Sequence, residues 1–425
     1  MLKKYLNEEN RNIFWSFASK GWAAVAFILV EIIIARGLSV DQYGEWQYFL
    51  STLTIIVTVS YFGVPQSAQT YAARYVGKPE LQSVLKSSLV IRVLISLAFT
   101  GLIVLIRDPL ANLVKRPHFG ELLLYAAPLV FLMGMGEYLK NIYIGLKQTK
   151  YHFLMNAVEF GLKFLLVFLL LKLYTGISPV IGAYSAALFF AVLVGMVVFV
   201  RAYKTAPPGE DRTRYFLGSI FGYSLPLSLI SLGFVVMTEV NTQMLGLFTT
   251  EEQVALFGVG KQIVNKLPQI SIALSMGIMP SFAQIELGQL EEMRKKFYGL
   301  IRTNFILFAV ISVALILLSP IAIPFIYGSA YREAVLPFQI LSLRLVISTT
   351  IVFLNSFLDY QGKAKRRAFN FIVAIIANVV LNWYMIPRYG ALGAAIATTI
   401  SYIPYLWLNY IEVNRVFAEK LEGDG

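Results

Sequence analysis

The sequence predicts an all-α integral membrane protein with twelve transmembrane helices in two pseudo-symmetric six-helix lobes. Three observations predict it. Apolar stretches long enough to cross a bilayer, about 20 residues at 1.5 Å each, recur along the whole chain. Hydrophobic residues make up 57% of the 425 and charged ones 14%, with a mean hydropathy of +0.67. A soluble domain carries about 25% charged residues. Short motifs of the first half also return in the second, about 210 positions later.

In order, the spans fall at 12–35, 45–72, 84–106, 122–146, 151–173 and 178–200, then at 215–245, 253–283, 297–318, 334–358, 367–386 and 391–412. Their ends are set to within about 4 residues. The longest interior breaks are 107–121, 201–214, 284–296 and 319–333, too short for an extramembrane domain. The expected organisation is a lobe over 1–203, a linker over 204–214, a lobe over 215–415 and a polar tail over 416–425.

The first span carries Lys20 and Glu31. At roughly 100° per residue they share a helical face with Asn12 and Ser16. Charges at that depth face a protein interior or a water-filled cavity, unless their stems carry them to the surface. Glu31 sits near enough to one end to reach it; Lys20 does so less easily. The run is too long for a signal-peptide core and lacks a small-residue cleavage site, so it reads as retained.

Alternate connections differ sharply in charge. One set holds Lys3, Lys4, Arg11, Arg74, Lys78, Lys86, Lys140, Lys147, Lys150, Arg201, Lys204, Arg212 and Arg214, with a comparable group in the second half. The other holds Arg36, Arg107, Lys115, Arg116, Lys172, Arg332 and Arg388. This asymmetry places both termini and the central linker in the cytoplasm and explains the net charge of +12 without nucleic acid. Two histidines, His118 and His152, and no cysteine exclude zinc clusters, thiol catalysis and disulfides.

Four motif pairs carry the repeat: Asp41-Gln42-Tyr43 with Glu252-Gln253-Val254, Gly63-Val64-Pro65 with Gly277-Ile278-Met279-Pro280, Gly145-Leu146-Lys147 with Gln361-Gly362-Lys363, and Gly176 with Gly390. The last continues as Gly182-Ala183 and Gly393-Ala394. An even number of helices per half gives both the same orientation, as in transporters built from parallel repeats around a central substrate site. Pro65, Pro226, Pro268 and Pro280 fall within spans, where they allow kinks that could move or simply curve the helix.

Polar stripes run along several spans. Gln47, Ser51, Thr54, Thr58 and Tyr61 mark the second, Ser224, Ser228, Ser231, Thr238 and Thr242 the seventh, Lys261, Asn265 and Gln269 the eighth, and Arg344, Ser348, Asn355 and Asp359 the tenth. Such Ser and Thr residues often serve helix packing, but a stripe with an unpaired cation calls for water or an anion. Glu159 with Lys163, and Glu137 with Lys140, are spaced to neutralise each other. Lys261, Lys266, Arg92 and Arg344 have no acid on their own helix, and this excess of cations points to an anionic substrate group such as phosphate. Glu31 or Glu239 could hold a coupling H+ or Na+. Gly258-Val259-Gly260-Lys261 lacks the spacing of a phosphate loop, and no nucleophile or paired-carboxylate constellation lies in a loop.

The chain resembles the Wzx-type, O-antigen-like polysaccharide-biosynthesis flippases, of the superfamily that also holds the multidrug and toxin extruders (MATE). The likeness rests on Ala35-Arg36-Gly37-Leu38 with Tyr43-Gly44, on Ser224-Leu225-Pro226-Leu227, on Met244-Leu245-Gly246 and on Tyr327-Gly328-Ser329-Ala330-Tyr331. Asn382 and the run Ile386-Pro387-Arg388-Tyr389-Gly390 through Ala395 complete it. The resemblance implies a MATE-like, V-shaped pair of lobes with spans one, two, seven and eight lining a central cleft. It also implies flipping of undecaprenyl-diphosphate-linked oligosaccharide units from the cytoplasmic to the outer leaflet of the cell inner membrane, with no enzymatic step. Related lipid II flippases usually have fourteen helices; twelve are expected here. Family members often carry Asp where Asn241 stands, two residues after Glu239.

In this reading Lys20, Lys261 and Arg344 attract the diphosphate, and Asn12, Ser16, Ser51, Thr58, Ser228 and Asn265 line the cleft. Glu31 and Glu239 are the candidates for ion coupling; no other cofactor is expected. Expected partners are the lipid-linked oligosaccharide, membrane lipid, and a polysaccharide polymerase with its chain-length machinery. The alternatives are a MATE-type drug or organic-cation antiporter, which calls for an acidic, aromatic cleft, and a membrane-embedded polymerase or ligase.

Overall fold

The computed structural model describes residues 2–114, 116, 118–282 and 290–422. Lys115, residues 283–289 of the expected break, and the side chains of Lys3, Lys4 and Pro280 lie outside the described residues.

Every regular element among the described residues is helical. The elements are α1 (Leu2–Gly37), α2 (Val40–Tyr61), α3 (Val64–Tyr75), α4 (Leu81–Leu113), α5 (Phe119–Gly145), α6 (Thr149–Leu173) and α7 (Ser178–Thr205). They continue with α8 (Thr213–Phe248), α9 (Glu251–Val264), α10 (Pro268–Ile278), α11 (Leu290–Tyr327), α12 (Val335–Tyr360) and α13 (Ala364–Glu422), with 3₁₀ turns at Met279–Phe282 and Ser329–Ala334. Nine helices among the described residues are long and apolar enough to cross a membrane, and ten when the bent pair α2–α3 counts as one span. The longest, α13, is two helices merged across Gly390, and α9 with α10 forms a second interrupted pair. The twelve-span reading fits this arrangement. Large apolar side chains such as Leu105, Ile321 and Phe325 are over 70% exposed, a surface suited to lipid tails.

Two compact units divide the chain at Glu239/Val240, inside α8. In the first, α1 packs along α6, α6 along α7, and α4 along α5. Its core clusters Leu85, Met135, Tyr138, Ile142, Tyr143 and Phe199. In the second, α12 packs against α13 and α11, and Phe282, Phe297, Phe357 and Phe417 form an aromatic core.

Local chemistry fixes the breaks. Ser39 and Gln42 form a reciprocal capping box that starts α2. Phe62 and Gly63, both at positive φ (47° and 69°), end it and bend the chain 44° into α3, where Pro65 sits at the first turn. Gly63 presses on the Ser224 carbonyl of α8, leaving no room for a side chain. Three of the four motif pairs fall on equivalent turns. Lys147 and Gly362 are both left-handed, at φ 57° and 71°, just before α6 and α13. Gly176 (φ 94°) precedes α7, and Gly390 (φ 50°) precedes the second half of α13. Gln42 and Gln253 lie in the opening turns of α2 and α9; Gln42 caps its own helix, whereas Gln253 accepts the Ala391 N–H at 2.8 Å and so braces Gly390.

The fourth pair does not match. Pro65 opens α3, but the second half breaks at Asn265–Leu267 with Pro268 opening α10, and Pro280 falls in a 3₁₀ turn. A proline fits the first turn of a helix, and in the eighth span it is Pro268, ahead of Pro280, that opens the new helix after the break. Pro226, by contrast, lies inside α8.

The stretch 204–214 is strapped to α4. Gln82 donates to the Tyr203 and Ala206 carbonyls, Ser83 bonds Glu210 and Arg212 backbone groups, Ser87 donates to the Thr213 carbonyl, and Lys86 pairs with Asp211 at 3.0 Å. Hydrogen bonds from Thr213, with Lys86 beside them, hold the Asp211 carboxyl at about 2, below its ordinary value of 3.8. A depressed carboxyl keeps its contribution above the unfolded value and loses it as pH falls toward the folded one. The protection factors of the residue 210–213 amides, with the intrinsic pH dependence of exchange divided out, are therefore expected to stay constant from pH 7 to about pH 4 and to fall several-fold at pH 7 in Asp211→Asn. Equal exchange in the variant and the parent at pH 7 would show that Asp211 does not hold the strap.

Candidate functional site

Lys20 and Glu31 share a face of α1 but meet different surroundings. Lys20 is exposed, whereas Glu31 is fully buried where α2 and α7 cover the helix. Glu31 does not reach the surface as its position near the helix end allowed. Its carboxylate accepts hydrogen bonds from Gln47 Nε2 at 2.6 Å, Tyr43 Oη at 3.2 Å and Tyr184 Oη at 3.4 Å. Trp46 packs edge-on against the Tyr184 ring. A caged carboxylate among neutral donors can hold a charge in an apolar interior, or take a proton without moving.

The Tyr184 ring also faces Lys163, whose Nζ sits 4.4 Å from its centroid. Lys163 donates to Glu159 at 2.5 Å, as the i, i+4 spacing predicts. The expected Glu137–Lys140 pair does not form. Lys140 crosses from α5 to α6 and binds the other Glu159 oxygen at 2.6 Å, while Glu137 accepts from Asn141 at 2.8 Å. A helix-bound neighbour offers one direction of approach, and the facing helix offers a better one. One carboxylate thus holds two lysines, and the alternation Glu31, Lys163, Glu159, Lys140 runs through α1, α6 and α5.

Arg92 is fully buried and satisfied. It donates to the Ser60 carbonyl at 2.7 Å, Ser60 Oγ at 3.2 Å and Ser96 Oγ at 2.9 Å, so it closes the C-terminal end of α2 where the break leaves carbonyls unpaired. Gly134 makes space for its guanidinium. The cation that looked available for substrate is a structural pin.

Among the candidate lining residues, Asn12 shares the single Thr149 hydroxyl proton between its carbonyl and Oδ1, at 2.9 and 3.1 Å, and so ties α1 to α6. Ser16 and Thr58 are half-buried. Ser51 Oγ lies 3.5 Å from the Glu239 carbonyl, and Glu239 is itself buried. Ser228 bonds back to the Leu225 carbonyl at 2.7 Å, within its own helix.

In the second unit the eighth-span stripe does not stay on one helix, because Asn265 lies in the break between α9 and α10. The break hands Asn265 to Arg344, whose Nη2 donates to its Oδ1 at 2.5 Å. Arg344 also lies over the Tyr402 ring, and its buried Nε has no hydrogen-bond partner among the described residues. Lys261 Nζ donates to Thr242 Oγ1 at 2.9 Å. Asn241 accepts from Asn382 at 2.5 Å, and Asn382 bonds Asn378, which bonds Ser401 at 3.1 Å. Neutral amides need no counter-ion, so Asn241 joins a packed ladder where an acid would demand a cation. The i, i+4 spacing of Asn378 and Asn382 along α13 was a signal for that ladder.

These features define a multi-pass membrane protein with cations and carboxylates held inside an all-helical frame. It shares the fold of an inward-facing MATE family transporter of the MOP superfamily (TM-score 0.76, 14% identity, covering 95% of this chain and 96% of that one) and of the lipid II flippase MurJ (TM-score 0.70, 16% identity, 96% and 90%). The model of the family described as "Polysaccharide biosynthesis protein" matches residues 10–286, and the chain belongs to that family. Among curated relatives, an uncharacterized membrane protein of Methanocaldococcus jannaschii, MJ1068, is 20% identical over 95% of this chain and 83% of its own length. The probable low-salt glycan biosynthesis flippase Agl15 of Haloferax volcanii is 21% identical over 52% of this chain and 48% of its own.

Removing one partner of a buried ion pair leaves an uncompensated charge, which costs about 3–5 kcal/mol. Glu159→Gln strands two lysines and is expected to lower the thermal unfolding midpoint strongly, and adding Lys163→Gln should recover part of the loss. A double variant no more stable than the single one would show that the pair does not stabilise by charge.

Proposed function

We propose that the protein flips undecaprenyl-diphosphate-linked oligosaccharide units from the cytoplasmic to the outer leaflet of the cell inner membrane, by alternating access, with both termini in the cytoplasm. Membership of the polysaccharide biosynthesis family carries the reading, supported by the flippase named among its relatives and the flippase among its structural neighbours. Lys20, Lys261 and Arg344 are the groups that recruit the diphosphate. The Arg344 guanidinium, with one buried N–H unpartnered and Tyr402 beneath it, is prepared to accept an anionic oxygen. Ser16, Ser51, Thr58, Ser228 and Asn265 supply hydroxyl and amide groups of the kind that sugars use.

Glu31 is the site of ion coupling in this reading, with Glu239 as the second acid. Its three neutral donors allow the cage to persist whether or not the carboxylate holds a proton. A polysaccharide polymerase is the partner that would consume the flipped unit.

Reconstituted vesicles with a fluorescent prenyl-diphosphate oligosaccharide test the reading. Loss of a hydrogen bond to a charged group, at about 1.5–3 kcal/mol, predicts flipping slowed at least tenfold in Lys20→Ala, Lys261→Ala and Arg344→Ala. Intact flipping in all three would remove the cationic mechanism. In the same vesicles Glu31→Gln is expected to abolish acceleration by an imposed pH gradient while slow, gradient-independent flipping persists; undiminished acceleration would move the coupling elsewhere. The MATE-like fold keeps organic-cation antiport as a second reading, and drug resistance conferred on a pump-deficient host, with no flipping, would favour it.

A further inference from the structure

The three cations assigned to the diphosphate do not account for the polar cluster where α1, α5 and α6 meet. Asn156 Nδ2 donates to Ser19 Oγ at 2.8 Å and lies 3.2 Å from His152 Nε2. An amide nitrogen can only donate, so Nε2 accepts and the proton of the neutral ring sits on Nδ1. That Nδ1–H is buried and has no partner among the described residues. A buried donor without an acceptor is a destabilising arrangement that persists where something else benefits from it.

The field at the ring is positive. The charges of Lys140 and Lys20 both act on His152. Glu159, the acid closest to Lys140, divides its single charge between Lys140 and Lys163. Glu137, on the same helix as Lys140, accepts from Asn141 and lies within the field of Arg92. Lys20 follows Ser19 directly and is exposed, so its ammonium is free to swing. A mobile ammonium at Lys20, a second at Lys140 whose counter-charge is shared with Lys163, and a fixed N–H suit a compact anion with several oxygens and more than one charge, which is a phosphoryl group. His152 is one turn inside the start of α6, beside Lys147 and Lys150, which places the ring near the lysine-rich end of its span.

We propose that Lys20, Lys140 and the Nδ1–H of His152 form a phosphoryl-binding site within the first unit that receives the diphosphate of a prenyl-linked substrate. The assignment of the prenyl-linked ligand rests on the flippase reading; the site itself rests on the geometry.

The sequence has two histidines, so ring-nitrogen NMR of the full chain in phosphatidylcholine nanodiscs reports the site directly, with His118 as internal reference. A short-chain prenyl diphosphate is expected to shift the His152 Nδ1 resonance saturably and leave His118 unmoved. Lys20→Gln, an exposed position that should fold normally, is expected to raise the midpoint of that titration about tenfold, equivalent to about 1.4 kcal/mol. His152→Phe should weaken calorimetric binding by a similar factor, and His152→Asn, whose amide nitrogen can stand where Nδ1 does, should restore most of it.

Binding by calorimetry without a His152 shift overturns this site and leaves the flippase reading standing. No binding at all overturns both. Inorganic pyrophosphate shifting His152 with the same midpoint as the prenyl ligand overturns the lipid-linked assignment in favour of free phosphate. A His152 shift on changing to phosphatidylglycerol nanodiscs, with no added ligand, reassigns the site to bilayer headgroups and overturns it as a substrate site.

Discussion

Glu159 holds Lys140 and Lys163 at 2.6 and 2.5 Å, and much of the first unit is organised around that double ion pair. A lone charge in hydrocarbon is expensive, so each lysine fixes the helix that carries it relative to α6. Lys140 fixes α5. Lys163 fixes the Tyr184 ring of α7 through a cation–π contact, and Tyr184 in turn reaches Glu31 of α1. The ion pair thus joins α5 to α6, which pack less extensively than their neighbours, and Tyr184 ties in α7 and α1, whereas α4 and α5 pack closely with no ion pair between them among the described residues. Apolar packing alone is nearly indifferent to which membrane helix neighbours which, since lipid tails are as apolar as leucine. The charges and hydrogen bonds add the specificity.

Much of the fold was legible because its punctuation is local. Gly176, Gly362 and Gly390 adopt positive φ, and each stands where the sequence repeats itself. Such turns need particular residues at particular places, so the repeat of the turn shows as a repeat of the letters. Lys147 shows the limit of this rule, since a lysine occupies the left-handed position that glycine fills in the other half. The breaks within α2–α3 and α9–α10 were less legible. Gly63-Val64-Pro65 resembles Gly277-Ile278-Met279-Pro280 in letters, but Pro268 ends the ladder first, and one proline looks much like another until the helix register is known.

The site was legible in its composition and not in its pairings. The spacing of Glu159 and Lys163 was sufficient to predict their contact, because both lie on one helix. Lys140 could choose between Glu137 on its own helix and Glu159 on the next, and spacing carries no information about the next helix. Arg92 shows the same gap from another direction. The span expected around it, 84–106, has no acid, which suggested availability, yet its partners are a carbonyl and two hydroxyls. A guanidinium has five donors and can be satisfied without any acid, so counting charges overstates how many arginines remain free. Lysine has fewer ways to be satisfied, and Lys20 remains exposed.

Glu31, Lys163, Glu159 and Lys140 alternate in sign, and together they are neutral when all four are charged. The two ends of this series are different in kind. At one end Glu31 is enclosed by neutral donors, with Lys163 against the Tyr184 ring that reaches it. At the other end Lys140 and Lys20 lie near an unpartnered imidazole N–H. Positive charge is in surplus where an anion would enter, and negative charge is in surplus where a proton or cation would. Because Glu159 shares its charge between two lysines, drawing Lys140 toward an anion leaves Glu159 more fully to Lys163, and Lys163 then offsets Glu31 less. An anion in the proposed phosphoryl site would therefore bear on the proposed coupling carboxylate through charge alone, and by reciprocity the converse would hold.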